Sequence, residues 1–441
     1  MKIKILILGL IISLLIGWAH AQDPVEISTT VSGSEKLPIA IPPFPTDAAT
    51  LKYGSELARI MSADFDFQGE FNLLTANKYP PTFRSLPADW TKIDFEAWRN
   101  TEASYLVHAT LRQEGSKMVA ECRLFDIFSG QQVLGKRLSA ETAKDARLLA
   151  HLFADESVEF LLNPAGIAST EIAFSGSKGA RVKEIYISDY DGANMLQVTH
   201  HNAISILPQF SPDGTRIAYF SYKDRFPFLY VYDRRTGQST PLSTRSGLNN
   251  SPAWSPDSSK IALTLSKDGN TEIYVKNPDG TGEQRLTNDK GSDTSPTYSP
   301  DGTQIAFVSD RGGRASIYVM GADGSNQRRL YRSSGNAYDP TWSPDGNHIA
   351  FIGERSGEGL EVYMMDADGS NIRQLTSSGG YNESPTWSPD SRHIMFASNR
   401  SGKTQLHTVT IATGVVRKVD KLAILKTEGP TWGPRRLPAK R

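Results

Sequence analysis

The 441-residue chain has one cysteine, Cys122, which excludes an intrachain disulfide and any thiolate cluster for zinc or iron–sulfur. A lone thiol of this kind is expected in the core, packed as a small hydrophobe. There is no excess of charge either: 48 Lys and Arg stand against 48 Asp and Glu, so no basic field exists to hold nucleic acid or an anionic membrane. The catalytic motifs are missing as well. No Gly-x-Ser-x-Gly and no His-Glu-x-x-His occurs, and the one close histidine pair, His200-His201, consists of neighbours that do not easily chelate one metal. Gly402-Lys403-Thr404 imitates the end of a phosphate loop, but Ala397 stands where its first glycine belongs. No catalytic residue, metal ligand or cofactor is expected. Paired acids of the glycosidase kind are neither indicated nor excluded by a surface rich in carboxylates.

What is present begins with an address. Lys2 and Lys4 precede an apolar stretch of 14 residues, Ile5 to Trp18, and a small-x-small site, Ala19-His20-Ala21. The stretch falls short of the ~20 residues that span a bilayer, and no second long apolar run follows. Residues 1–21 therefore read as a cleavable secretory signal, with a mature chain that starts near Gln22 and does not insert into a membrane. Loss of Lys2 and Lys4 leaves that chain slightly acidic, 46 basic against 48 acidic residues. Export without disulfides is consistent with a large β core, which needs no covalent staples.

The dominant feature is a repeat. A proline–x–aromatic anchor runs into a Ser-Pro-Asp turn at Pro208-Gln-Phe-Ser-Pro-Asp-Gly, Pro252-Ala-Trp-Ser-Pro-Asp-Ser, Pro296-Thr-Tyr-Ser-Pro-Asp-Gly, Pro340-Thr-Trp-Ser-Pro-Asp-Gly and Pro385-Thr-Trp-Ser-Pro-Asp-Ser, ending in Pro430-Thr-Trp-Gly-Pro. The intervals are 44, 44, 44, 45 and 45 residues. Each holds three more β-prone runs, so four short strands per period predict a propeller blade. Before the first anchor lie Ile172-Ala-Phe, Ile185-Tyr-Ile and Leu196-Gln-Val-Thr, a blade without its first strand; Pro430-Thr-Trp is a first strand without its blade. Together they predict a six-bladed β-propeller over about 165–433, closed by one C-terminal strand paired with three N-terminal ones. The repeated aspartates read as turn chemistry rather than a calcium site, being scattered one or two per blade.

Alternating strand direction puts the Ser-Pro-Asp and Asp-Gly turns on one side of the disc. On the other side lie the connections just before each anchor proline, which vary: Leu248-Asn-Asn-Ser251, Ser292-Asp-Thr-Ser295, Asn336-Ala-Tyr-Asp339 and Tyr381-Asn-Glu-Ser384 among them. Variable loops that converge on a channel mouth are where binding is expected.

Residues 22–164 lack the repeat. Leu37 to Phe44 reads as a strand and turn, a helix follows from about Asp47, and Phe71-Asn-Leu-Leu is a further strand. Tyr105–Arg112, Met118–Phe128 and Gln132–Leu138 form a strand series, and Glu141 to Leu162 is a helix stopped by Asn163-Pro164. The fold expected is an α/β N-terminal domain, 37–164, followed by the all-β propeller. Residues 22–36 are expected to be a polar tail and 434–441 a solvated basic end.

This arrangement resembles the TolB family, the periplasmic propellers of the bacterial Tol–Pal system, over the whole chain after the signal. The resemblance implies a monomeric, non-enzymatic periplasmic scaffold supporting outer-membrane integrity and invagination at division. It implies two partners: a peptidoglycan-associated lipoprotein like Pal on the propeller, and an inner-membrane protein like TolA on the N-terminal tail. The tail epitope would comprise Asp23, Val25, Glu26, Ile27, Thr29 and Val31, an extended segment able to add to a partner's sheet edge. The Pal surface would comprise Asn249, Asn250, Thr294, Ser295, Tyr338, Asp339 and Glu383. The family's His-Asn and Thr-Glu pairs appear here as Leu248-Asn249 and Thr294-Ser295, so one member of each pair departs. The competing class is a propeller enzyme or small-ligand receptor with its site in the channel.

Overall fold

A computed structural model describes residues 36–46, 50–141, 146–163, 165–179, 181–331, 335–355, 359–377 and 380–436. The signal segment, the tail epitope 23–31 and the last five residues lie outside the described residues.

The N-terminal layer is a five-stranded sheet ordered β2-β1-β3-β4-β5, with β1 Leu37–Ala40, β2 Phe71–Leu73, β3 Tyr105–Glu114, β4 Lys117–Asp126 and β5 Gln131–Ala140. β1 runs parallel to β2 and β3, while β3 to β5 form an antiparallel meander. One face is covered by α1 Leu51–Gln68 and α3 Ala146–Leu162, whose Leu57, Met61, Phe65, Leu149 and Phe153 meet Val107, Met118 and Leu124. α1 ends at Gly69, whose φ of 89° is a left-handed stop that glycine takes without strain. Cys122 is buried in this core, and burial pushes its thiol up to about 12.

The other sheet face carries an element that hydrophobic periodicity does not reveal. Residues 74–103 wrap it with aromatic side chains, including Trp98 of the short helix α2 Phe95–Arg99, and bury Leu106, Phe125 and Ile127. Asp94 caps α2 by accepting from Ala97 N at 3.0 Å.

The repeat folds into six four-stranded sheets. Five are continuous: blade one 205–243, two 249–285, three 293–329, four 336–374 and five 382–418. The sixth is completed by Lys426–Arg435, which pairs antiparallel with Thr170–Ser177, Trp432 opposite Ile172. The expected closure is thus observed, and it removes the sheet edges an open array would expose. Second and third strands supply the core: Ile217, Ile261, Ile305, Ile349 and Ile394 are all fully buried.

The Ser-Pro-Asp aspartates lock their own turns. Asp213, Asp257, Asp301 and Asp345 each accept the hydroxyl of the serine two residues earlier at 2.5–2.6 Å. Each also accepts the backbone N–H two residues on at 2.9–3.0 Å. The Oδ1 of each carboxylate is thereby committed to its own turn.

Candidate functional site: the channel mouth

Six innermost strands surround the channel, and a cavity of about 350 Å³ opens between them, lined by the residues on either side of each anchor proline. The residue before the proline is left-handed in all six strands: Leu207 (φ 53°), Ser251 (49°), Ser295 (50°), Asp339 (47°), Ser384 (53°) and Gly429 (54°). Five of the six have a side chain, for which this conformation costs about 1 kcal/mol each. The cause is a register break: each inner strand slips against its neighbour at this point, for example between Asn250 and Ala253 or between Thr294 and Thr297. Such bulges re-aim side chains, and here they set a ring of short, mostly polar groups around one opening. Pro-x-aromatic was legible as an anchor; that the residue before it is strained was not, since five of the six are not glycine.

The predicted residues separate into groups. Asn250, Ser295 and Asp339 line the cavity together. Ser295 donates to Asp339 Oδ1 at 3.1 Å. Asp339 is open to the channel but surrounded by the inner strands, and that burial raises its carboxyl above the usual range, against the lowering effect of the Ser295 hydrogen bond. Glu383 is exposed beside them; burial, then the charges of Asp339 and Glu428, raise it, while Lys426 and Lys183 oppose. Burial works to raise Glu428 too, but hydrogen bonds from Lys183 and Lys426 outweigh it and hold it ionised. The mouth therefore carries a coupled acid–lysine cluster on one side.

Thr294 and Tyr338 are half-buried in their strands, and Tyr338 donates to Glu354 at 3.2 Å. Asn249 is fully buried, accepting from Ser243 Oγ at 2.7 Å and donating to the Arg245 carbonyl at 2.8 Å. Its amide shapes the loop from within and presents no surface of its own. A further buried group supports the same loops: Glu272 accepts from Thr287 Oγ1 at 2.6 Å and Asp289 N at 3.0 Å, fixing the connection into blade three. The same pairing, Glu-x-Tyr with a threonine fifteen residues after the glutamate, recurs at Glu184 with Thr199 and Glu361 with Thr376.

The opposite face is not uniform, as the repeat suggested. On blade five and the closing blade its turns hold the N-terminal layer. Arg147 of α3 bonds Asp189 at 3.0 Å and Asp191, His151 bonds Asp64 at 2.8 Å, and Tyr190 donates to that same Asp64 at 2.8 Å. Asp155 accepts Ala168 N at 2.6 Å and Ser169 N at 2.9 Å, and burial pushes its carboxyl up to about 6. The first two arginines of the basic end are anchored rather than free: Arg435 closes on the exposed Glu159 at 3.0 Å and lies 3.6 Å from the buried Asp155, and Arg436 closes on the buried Asp189 at 2.8 Å. Among the described residues, no cluster of three His, Cys, Asp or Glu side chains could hold a metal ion, and no helix is long and apolar enough to cross a membrane.

A closed six-bladed ring docked to an α/β layer, with its variable loops gathered on one mouth, defines a two-domain β-propeller protein. Residues 158–338 and 331–435 match the model of the TolB beta propeller domain, and 25–133 that of the TolB amino-terminal domain. The chain belongs to the TolB family. It is 34% identical over 251 residues to the Tol-Pal system protein TolB of Ruegeria sp. (strain TM1040), and 34% over 251 residues to that of Desulfosudis oleivorans. Each match covers 56% of this chain and 56% of the relative, so the chain spans about half the length of the curated relatives it matches. The crystal structure of TolB from Acinetobacter baumannii superposes with a TM-score of 0.80 at 26% identity, covering 91% of this chain and 98% of that one. A chain of the nidogen/laminin complex shares the fold alone, at 13% identity and a TM-score of 0.51 over 61% of this chain and all of that one.

Proposed function

We propose that this protein is a non-enzymatic periplasmic scaffold of the Tol–Pal system. Its channel mouth takes a Pal-like peptidoglycan-associated lipoprotein, and residues 22–36 take a TolA-like inner-membrane protein, supporting outer-membrane integrity and invagination at division. The curated relatives bear the name of the Tol–Pal system, and export rests on the Lys2–Ala21 leader pattern. The observation that carries the reading is the mouth itself: six inner strands bend at one level to present Asn250, Ser295 and Asp339 around an open cavity. A strained, pre-set surface loses little on ordering when a partner arrives. Residues 37–164 and 165–433 are the two domains of this scheme, joined through Asp155 and through Arg435 at the end of the closing strand.

The test is affinity capture of the mature protein against Pal-like and TolA-like baits. Deleting residues 22–34 abolishes TolA capture and leaves Pal capture intact; loss of both, or of neither, contradicts the assignment.

A further inference from the structure

Each groove between neighbouring blades, on the turn face, has an anchor aromatic from one blade and, from the blade before it, the residue that opens the second strand. Most of these grooves contain a cation or a histidine of the chain itself. Arg216 lies 4.7 Å from the centre of the Trp254 ring, donates to the Ser258 carbonyl at 2.9 Å and faces Asp213 Oδ2 at 3.7 Å. Lys260 shares a groove with Tyr298, and His348 stacks on Trp387 at 6.4 Å. His393 and Trp432 meet through Phe67. Where the chain offers Glu171 instead, that carboxylate draws Arg234 over Phe210, 5.4 Å from its centre.

The groove between blades three and four breaks the series. The position of Arg216 is held by Gln304, which carries no charge, and the groove stays open at about 500 Å³. Its indole is also unsatisfied: Trp254 and Trp387 donate to the carbonyls of Gln209 and Thr341, whereas the buried Nε1–H of Trp342 has no partner. Asp301, Asp345 and Asp368 line the walls against one cation, Arg328 from the outermost strand. Asp301 and Gly346 occupy the turn positions that Asp213 and Ser258 occupy around Arg216. The ion pairs that hold the N-terminal layer, Glu70–Arg392, Asp66–Arg417 and Arg147–Asp189, fall on blade five and the closing blade, away from this groove.

We propose that the groove between blades three and four is a binding site for the guanidinium of an arginine presented by another protein, held as Arg216 is held on Trp254. The Trp342 face stacks on the planar cation, and the Gly346 carbonyl and the Asp301 Oδ2 accept its N–H groups. The excess of acid over base on the walls selects against anions. This site is independent of the channel mouth.

The test uses the mature protein and N-acetyl-L-arginine amide, read by the Trp342 indole N–H resonance, which is assigned by its loss in Trp342→Phe. That resonance shifts saturably at concentrations on the order of millimolar, as one exposed cation–π contact allows. The citrulline analogue, equal in shape and uncharged, binds at least tenfold more weakly. Gln304→Arg supplies the cation internally and abolishes the response, and Asp301→Asn, which keeps the turn, weakens it severalfold. An unmoved resonance, an equal response to citrulline, or unchanged binding in either variant overturns the proposal.

Discussion

The two faces of the ring are built from the same six strands but obey different demands. On the turn face each Ser-Pro-Asp aspartate gives its Oδ1 to the serine hydroxyl of its own turn, so the sequence repeats because the turn requires it. On the mouth face the backbone turns left-handed at the same position six times, with strain at the five that are not glycine, while the side chains presented there differ from blade to blade. Conformation is repeated and chemistry varied on the mouth; on the turn face the turns repeat both, while the grooves between blades vary from Arg216 to Gln304. Uniform turns build the disc, and varied loops on a uniform bulge form the surface proposed for partner binding.

The largest effect expected is on the disc as a whole. Trp432→Ala in the closing strand removes a buried indole that bonds Thr170 Oγ1 at 2.8 Å and packs near Phe67. A loss of about 3–5 kcal/mol in unfolding free energy is expected, measured by urea denaturation. The next test concerns the junction. Asp155 has its folded-state carboxyl raised to about 6 from a reference near 3.8, so its ionised form opposes folding. Its contribution therefore becomes more favourable as pH falls through 6 and levels off below about 4. Relative to Asp155→Asn, the native protein gains up to about 3 kcal/mol between pH 7 and pH 4, read from denaturation curves at each pH.

The third test sets the faces against each other. Asp257→Ala unlocks a turn and costs about 1 kcal/mol without touching the mouth. Ser251→Gly relieves a left-handed residue and stabilises by up to about 1 kcal/mol, with partner capture reduced because a presented hydroxyl is gone. If Ser251→Gly destabilises, the ring of strained residues has been misread. The smallest effect is at Cys122, whose thiol is buried and pushed up to about 12; mass spectrometry should find it unmodified after iodoacetamide treatment of the native protein at pH 8 and alkylated only after unfolding.

Much of the ring was legible because period and turn chemistry coincide. Pro-x-Trp-Ser-Pro-Asp states an inner strand, its end and its turn in one phrase, and the complementary fragments at Ile172 and Pro430 state the closure. The mouth was legible as a face, through strand direction, but not as a geometry. Nothing in Ser251, Ser295 or Ser384 announces a positive φ, because the strain is imposed by the bulge against the second strand. Asn249 shows the same limit: an asparagine in a loop reads as surface, yet its amide is consumed inside the turn. The segment 74–103 escaped because its aromatics follow neither helical nor strand spacing; they pack onto a sheet face already made by distant residues. The junction escaped because Arg147, Asp155, Asp189 and Arg436 meet only after the ring has closed.

The central claim is that capture of the lipoprotein belongs to the mouth and that the Ser-Pro-Asp turns serve stability. It is tested most directly by capture of a Pal-like lipoprotein with three forms of the mature protein: native, the mouth variant Asn250→Arg/Ser295→Arg, and the turn variant Asp257→Ala/Asp345→Ala. The prediction is at least tenfold weaker capture by the mouth variant with unfolding unchanged, and native capture by the turn variant with a lowered unfolding midpoint. Loss of capture by the turn variant while the mouth variant binds as the native protein does would contradict it.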